Sequence, residues 1–343
     1  MSWPAALDPA GVQSARIAAL WWWFFGVAVV VWTLVTVMTL VPALQRRRRA
    51  SLPLMPGGEP FLGSPSGSQP GEPLVIAPLV PHDAARERRL LVVVTSLGVL
   101  TTLILVGLLI ASVGTGRALT SEFGKEALEV DVTGHQFWWE VTYPNDTPAL
   151  QVATANEIHV PVGKTVRVKL QATDVIHSFW VPRLHGKTDL IPGRTTWMWL
   201  RADRPGVYVG QCAEFCGYQH AHMAFLVVAE ESGRFAAWLG NQRAPASIPT
   251  TPAQTRGQEV FLHNPCVMCH NIRGTIAGGA QAPDLTHVGS RLTLAAGTLP
   301  NRLGHLAGWV MDAQGIKPGS NMPTNRLSGA DLQALLAYLR SLT

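Results

Sequence analysis

Two uninterrupted apolar runs constrain this chain more than any other feature. Ala18 to Leu44 is apolar apart from Thr and one Gly, with Pro42 near its end, and Leu90 to Val113 is a second run of the same kind. Each exceeds the roughly 20 residues that span a bilayer as a helix. A cleaved secretory leader is the competing reading of the first run, and its flanks argue against it. Residues 1–15 carry no cation, and four arginines follow the run in place of a small-residue cleavage site. Trp21, Trp22 and Trp23 fit an interfacial aromatic belt. Neither run holds a His, Asp, Glu, Lys or Arg in its core, so both read as anchors without ligands or a proton relay of their own.

Charge supplies the orientation. The chain of 343 residues has 27 Lys and Arg, 22 Asp and Glu, and a net charge of +5. Arg46 to Arg49, Arg86, Arg88 and Arg89 all lie in the 45–89 loop, which predicts that this loop is cytoplasmic and that both termini face the outer side. The loop's middle, 51–81, is rich in Pro, Gly and Ser and predicts little regular structure. Asp83 and Glu87 at the start of the second span are candidates for admitting protons to a partner, with plain flanking charges as the alternative. Elsewhere the charges nearly balance. Residues 117–250 carry 12 cations against 13 anions, so no basic stripe tracks phosphates and no nucleic-acid partner is expected. Only 14% of residues are charged, against roughly 25% in soluble chains.

After Arg117 the pattern changes to short β-branched and aromatic runs: Glu129–Thr133, Phe137–Val141, Ile158–Val162, Thr165–Leu170 and Trp197–Leu200. Pro- and Gly-containing turns separate them, which predicts an all-β sandwich or barrel over 117–240. Near its end Cys212, Cys216, His220 and Met223 fall within twelve residues, and His177 lies 35 positions before Cys212. A disulfide between the two cysteines would close a very short loop. Zinc would take two Cys and two His, but a Met nearby is the soft axial ligand of copper sites. A single blue copper needs one Cys. Two Cys, two His, one Met and the Glu214 carbonyl suit two coppers bridged by two thiolates.

Residues 241–252 read as a linker, and Thr251 followed by Pro252 as the N-cap and first position of a helix. Cys266-Val267-Met268-Cys269-His270 is the covalent attachment pattern of c-type haem, with His270 the proximal ligand. Met322, in the Pro/Gly-rich loop 317–323, is the expected sixth ligand, ahead of Met311, whose neighbours Leu306, Trp309 and Val310 read as core. Ser328 to Asp331 resembles a capping box opening a last helix, with Leu332, Leu335, Leu336 and Leu339 on one face.

These residues carry a resemblance. Residues 8–240 resemble cytochrome c oxidase subunit II, and the Cys/His/Met cluster resembles its binuclear CuA site; the stretch Val181 to Arg194 is similarly family-like. The resemblance implies ligation by His177, Cys212, Cys216, His220 and Met223 through side chains and by Glu214 through its carbonyl. It also implies a magnesium ion reached by the Glu214 side chain at the border with subunit I. Pro283 to Arg291 resembles the loop of class I cytochromes c fused to oxidase subunits, so the chain resembles the caa-type branch. One departure stands out: where the family's electron-entry stretch reads Gly-His-Gln-Trp, this chain has Gly134-His135-Gln136-Phe137, then Trp138 and Trp139. Phe137, Trp138 and Trp139 are therefore candidates for electron entry, with core packing as the equal alternative.

The expected architecture is a multidomain membrane protein. An outer N-terminus (1–17) is followed by a two-helix transmembrane hairpin (18–44 and 90–116 around the 45–89 loop). An all-β cupredoxin-like barrel (117–240), a linker (241–252) and an all-α class I cytochrome c domain (253–343) complete it. The implied function is the electron-entry subunit of a respiratory terminal oxidase in the bacterial inner membrane. Electrons pass from haem c to CuA and on to subunit I, where O2 is reduced with proton pumping. Implied partners are subunits I and III, membrane lipid, and a quinol-oxidising complex or soluble cytochrome c as donor. A CuA-bearing subunit of a nitric oxide reductase is the alternative, since this chain alone does not distinguish O2 from NO. A thioredoxin-like copper chaperone fits poorly, because His177 precedes the cysteines. A flexible linker of about a dozen residues, reaching at most roughly 40 Å, gives a high effective concentration, so the haem needs little affinity for the copper domain.

Overall fold

The computed structural model describes residues 6–50, 83–120 and 127–343, with side chains from 6–45 in the first stretch. The Pro/Gly/Ser-rich middle of the 45–89 loop lies outside the described residues. The chain divides into two compact units, Leu20–Gly114 and the remainder. In the first unit the apolar runs form α1 (Val12–Ala50) and α2 (Ala84–Thr120), both longer than the apolar segments within them. Both are long and apolar enough to cross a membrane, and their Leu, Val and Trp side chains are exposed along their length. Asp83 caps α2, its Oδ1 accepting from the amides of Ala85 and Arg86. That is a structural use of one of the two carboxylates considered for proton entry.

The second unit holds two five-stranded sheets. Strands β1 (Leu128–His135), β2 (Trp138–Tyr143), β3 (Val152–Ala155), β5 (Val166–Ala172) and β8 (Thr196–Leu200) form one sheet, in the order β3-β2-β1-β5-β8. Strands β4 (Glu157–Pro161), β6 (His177–Trp180), β7 (Thr188–Leu190), β9 (Gly206–Cys212) and β10 (Ala224–Glu230) form the other, in the order β4-β10-β9-β6-β7. Two pairings are parallel, β1 with β5 and β4 with β10. Alternation does the work expected of it: Val130 and Val132 of β1, and Val166, Val168 and Leu170 of β5, point inward onto Phe179, Phe225 and Val227 of the second sheet. Phe137, expected inside a strand, sits instead in the two-residue connection of the β1–β2 hairpin, where His135 pairs with Trp138.

Helix α3 (Ser232–Arg243) closes the sandwich. It runs into the segment expected as linker because Gln242 is buried and the α3 carbonyls of Gln242 and Arg243 accept from the Arg273 guanidinium at 3.0 Å each. The connector without regular structure is thereby reduced to 244–251. Beyond it come α4 (Pro252–His263), α5 (Cys266–Cys269), a small ribbon of β11 (Thr293–Leu294) and β12 (Leu299–Pro300), α6 (Leu303–Met311), α7 (Ala313–Ile316) and α8 (Gly329–Ser341). Thr251 makes a full capping box with Gln254, and Ser328 accepts from the Asp331 amide, so both sequence caps open helices as expected. Val260, Phe261, Leu306, Val310, Leu335, Leu336, Tyr338 and Leu339 form a second core.

Helices α4 and α8 cross at Gly257, where a Cβ would lie 2.0 Å from the Ala334 carbonyl oxygen. Backbone, not a movable side chain, fills that space. Gly257→Ala is therefore expected to destabilise residues 252–343 by about 1–3 kcal/mol through overpacking. A thermal melt of this helical segment checks it, with a loss of about 4–8 °C per kcal/mol in a unit of this size.

Candidate functional site

The end of β9 and the loop after it carry the sulfur ligands, and β6 delivers His177 from the neighbouring strand. Cys212 Sγ lies 3.8 Å from Cys216 Sγ, 3.9 Å from His177 Nδ1 and 3.2 Å from the Glu214 carbonyl oxygen. Cys216 Sγ in turn lies 3.7 Å from His220 Nδ1 and 3.8 Å from Met223 Sδ. The six ligand positions named from the sequence thus converge on one buried point. The sulfurs are far outside disulfide length, about 2.05 Å. With metal–sulfur bonds of about 2.3 Å, sulfurs at this spacing share an ion at an angle near 110°, as tetrahedral thiolate sites require. Two bridging sulfurs, one imidazole on each side, one thioether and one carbonyl fit a pair of soft metal ions.

Several residues that set this geometry were not read from the sequence as functional. Asp174 Oδ1 lies 2.8 Å from His177 Nε2, which fixes the ring and leaves Nδ1 facing Cys212. Burial opposes ionisation of both; the hydrogen bond to His177 nonetheless lowers Asp174, and hydrogen bonds with Cys212 first and Asp174 second raise His177. Gly134 lies under the same ring; a Cβ there would be 2.8 Å from His177 Cδ2. Gln136 Nε2 donates to the Cys216 carbonyl at 2.6 Å. The contact between the two thiols lowers Cys212 and raises Cys216, so the two titrate as a pair. Glu214's carboxylate faces away from the cluster toward Lys187 Nζ, 3.5 Å distant.

The other histidines have ordinary partners. His159 stacks on Trp238 with centroids 4.0 Å apart and meets Glu230 at 3.1 Å; His222 meets Gln219 at 2.8 Å. His185 is buried, which lowers its pKa, and its Nδ1 lies 3.2 Å from the Gly186 carbonyl.

A cavity of about 590 Å³ lies beside the cluster, within the usual range for a bound cofactor. Cys266, Cys269, His270 and Met322 all line it, as do Leu335 and Leu339 of α8; Met311 does not. His270 Nδ1 is 2.7 Å from the Pro283 carbonyl, which orients the ring and leaves Nε2 free toward the cavity. Burial lowers its pKa, favouring the neutral imidazole that ligates iron. Arg291 and Thr293 also line the cavity, and Arg291 Nε and Thr293 Oγ1 are buried without a partner among the described residues. Arg291 Nη2 donates to the Asp284 carbonyl, so its Nε is the part of the guanidinium left open. An apolar pocket with two cysteines, an imidazole, a thioether and this open donor fits haem and its carboxylates.

The cavity's remaining wall comes from the β sandwich: His135, Gln136, Phe137 and Trp138. Trp138 stacks on His135 at 4.5 Å. The next residue, Trp139, is fully buried, packs against the His177 ring at 6.0 Å and sends Nε1 toward the Met223 carbonyl at 3.4 Å. The three aromatics therefore face the cavity at one end and the sulfur cluster at the other.

Residues 145–230 match the family described as cytochrome C oxidase subunit II, periplasmic domain, and residues 254–343 match cytochrome c. The cytochrome c oxidase subunit 2 of Alkalihalophilus pseudofirmus is 43% identical over 222 residues, covering 64% of this chain and 63% of that protein. That of Bacillus sp. strain PS3 is 34% identical over 230 residues and that of Bacillus subtilis 31% over 229, each again covering 64% of this chain and 63% of the relative. The chain thus spans slightly less than two thirds of the length of these curated relatives.

Proposed function

The chain unites a cytochrome c oxidase subunit II periplasmic domain with a cytochrome c domain, and on that premise we propose that it is the electron-entry subunit of a caa-type respiratory oxidase. The haem domain takes electrons from a quinol-oxidising complex or a soluble cytochrome c. The copper domain passes them to subunit I, where O2 is reduced to water with proton pumping. The two long apolar helices anchor the chain in the inner membrane beside subunits I and III and lipid, with both termini outside.

Bound in these sites, haem c and a binuclear CuA supply one-electron exchange with little rearrangement. The residues do the rest. Cys266 and Cys269 would hold the haem covalently, and His270 and Met322 would ligate its iron. His177, Cys212, Cys216, His220, Met223 and the Glu214 carbonyl would hold the coppers, and the Glu214 carboxylate, beside Lys187 here, would hold magnesium at the subunit I border. Asp174 fixes the His177 ring. Phe137, Trp138 and Trp139 carry the electron between the centres and exclude water from its path. The observation that carries this reading is the single aromatic run lining the cavity and touching the cluster.

The purified complex is expected to show near-infrared copper absorption with c-type and a-type haem bands, and to consume oxygen when a donor is supplied. Consumption of nitric oxide in place of oxygen would overturn the oxidase reading. Deleting residues 251–343 should abolish turnover with micromolar soluble cytochrome c; undiminished turnover would show that the fused haem is not the entry point.

A further inference from the structure

Lys317 follows α7 and is 2% exposed, yet no ion pair involves it among the described residues. Its Nζ donates to the Phe137 carbonyl of the β sandwich at 2.8 Å and to the Ala295 carbonyl of its own domain at 3.0 Å. The next residue is gripped in the opposite direction: Gln219 Nε2, beside the ligand His220, donates to the Pro318 carbonyl at 2.8 Å. Away from the cavity, buried Glu157 of β4 accepts from the amides of Leu292 and Thr293 at 2.6 and 3.1 Å, and Ala224 donates to the Ala296 carbonyl at 3.0 Å. The haem-binding domain is therefore docked on the sandwich through reciprocal polar contacts, where little affinity was required of it by the tether.

Among these contacts Lys317 is the odd one. Glu157 satisfies two amides and lies 3.9 Å from His159. Lys317 lines the cavity and has no carboxylate within ion-pair distance among the described residues; burial pushes its pKa down to about 7, against the opposing charge of Cys216. A buried, unpaired charge opposes association, so docking strength is not what it supplies. What it supplies is register. A rigid donor group reaching across the junction to one carbonyl fixes where the cavity sits against Phe137, the first of the three aromatics.

We propose that Lys317 is a positioning residue for electron exchange between the two centres, setting the registry of the haem-binding domain on the copper-binding domain rather than the strength of their union. This rests on the relay reading above. In the step concerned one electron leaves the haem iron and enters the copper pair, with no bond made or broken, so its rate depends on how the two centres are held.

The test compares the holoprotein with its Lys317→Met and Lys317→Arg variants. Intramolecular electron transfer is read after flash reduction of the haem. Docking is read by hydrogen exchange at the Leu292 and Thr293 amides and by the thermal midpoint. The expected result is that Lys317→Met slows transfer severalfold while amide protection and midpoint are unchanged or raised, and that Lys317→Arg restores most of the rate. Unchanged transfer in Lys317→Met would overturn the proposal. So would slow transfer accompanied by lost protection, which would make Lys317 a simple staple. A wild-type chain that binds both cofactors and passes no electron between them would instead overturn the relay reading, a failure visible before any variant is made.

Discussion

Cys216→Ser is expected to empty the copper site. Cys216 Sγ is the hub of the cluster, within 3.7–3.8 Å of Cys212, His220 and Met223, and no other thiol is near enough to replace it. Loss of an outer hydrogen-bond partner costs about 10–100-fold in metal affinity. Removal of a sulfur shared by two ions must exceed that, so copper content and near-infrared absorption should fall together to background while the sandwich remains folded. Asp174→Asn provides the graded comparison. It keeps every ligand and disturbs only the orientation of His177, so it should fall within that 10–100-fold range. Copper retained in Cys216→Ser at wild-type affinity would show that the cluster is not the metal site.

Replacing both Cys266 and Cys269 with serine should cost more than a cofactor. The haem cavity measures about 590 Å³. Without its cofactor the apolar lining loses the contacts that would cover it, a large loss against the about 5–15 kcal/mol that holds a typical domain together. The segment 252–343 is therefore expected to lose its fold along with its covalent haem. Haem staining on a denaturing gel should vanish, and limited proteolysis should remove this segment while sparing the sandwich. A haem-free variant that resists proteolysis here would refute the prediction.

What was legible in the sequence divides along physical lines. Local signals carried far. Apolar runs long enough to span a bilayer became helices, β-branched alternation became strands, and both capping patterns opened helices where expected. Short ligand spacings were legible too, because the covalent chain itself brings Cys212, Cys216, His220 and Met223 together. Residues whose role depends on distant partners were not. Asp174 is a loop carboxylate until β6 carries His177 past it, and Gly134 is a strand glycine until that ring packs on it. Lys317, between a short helix and a Pro-Gly turn, reads as an ordinary solvated cation, since nothing local signals that its Nζ will be buried against a carbonyl 180 residues away. Likewise the connector 241–252 reads as a flexible tether by composition, and only the Arg273 contacts to α3 show how little of it is free.

The docked haem-binding domain has a consequence for kinetics. A tethered partner must find its site on every turnover, and such encounters are governed by local concentration and weakened or hastened by salt. A partner already seated through Glu157, Gln219 and the Ala224–Ala296 backbone contact makes no encounter. Passage between the centres then needs no search and is expected to be indifferent to ionic strength. All sensitivity to the surrounding medium is moved outward, to the meeting between the haem edge and whatever carrier delivers the electron.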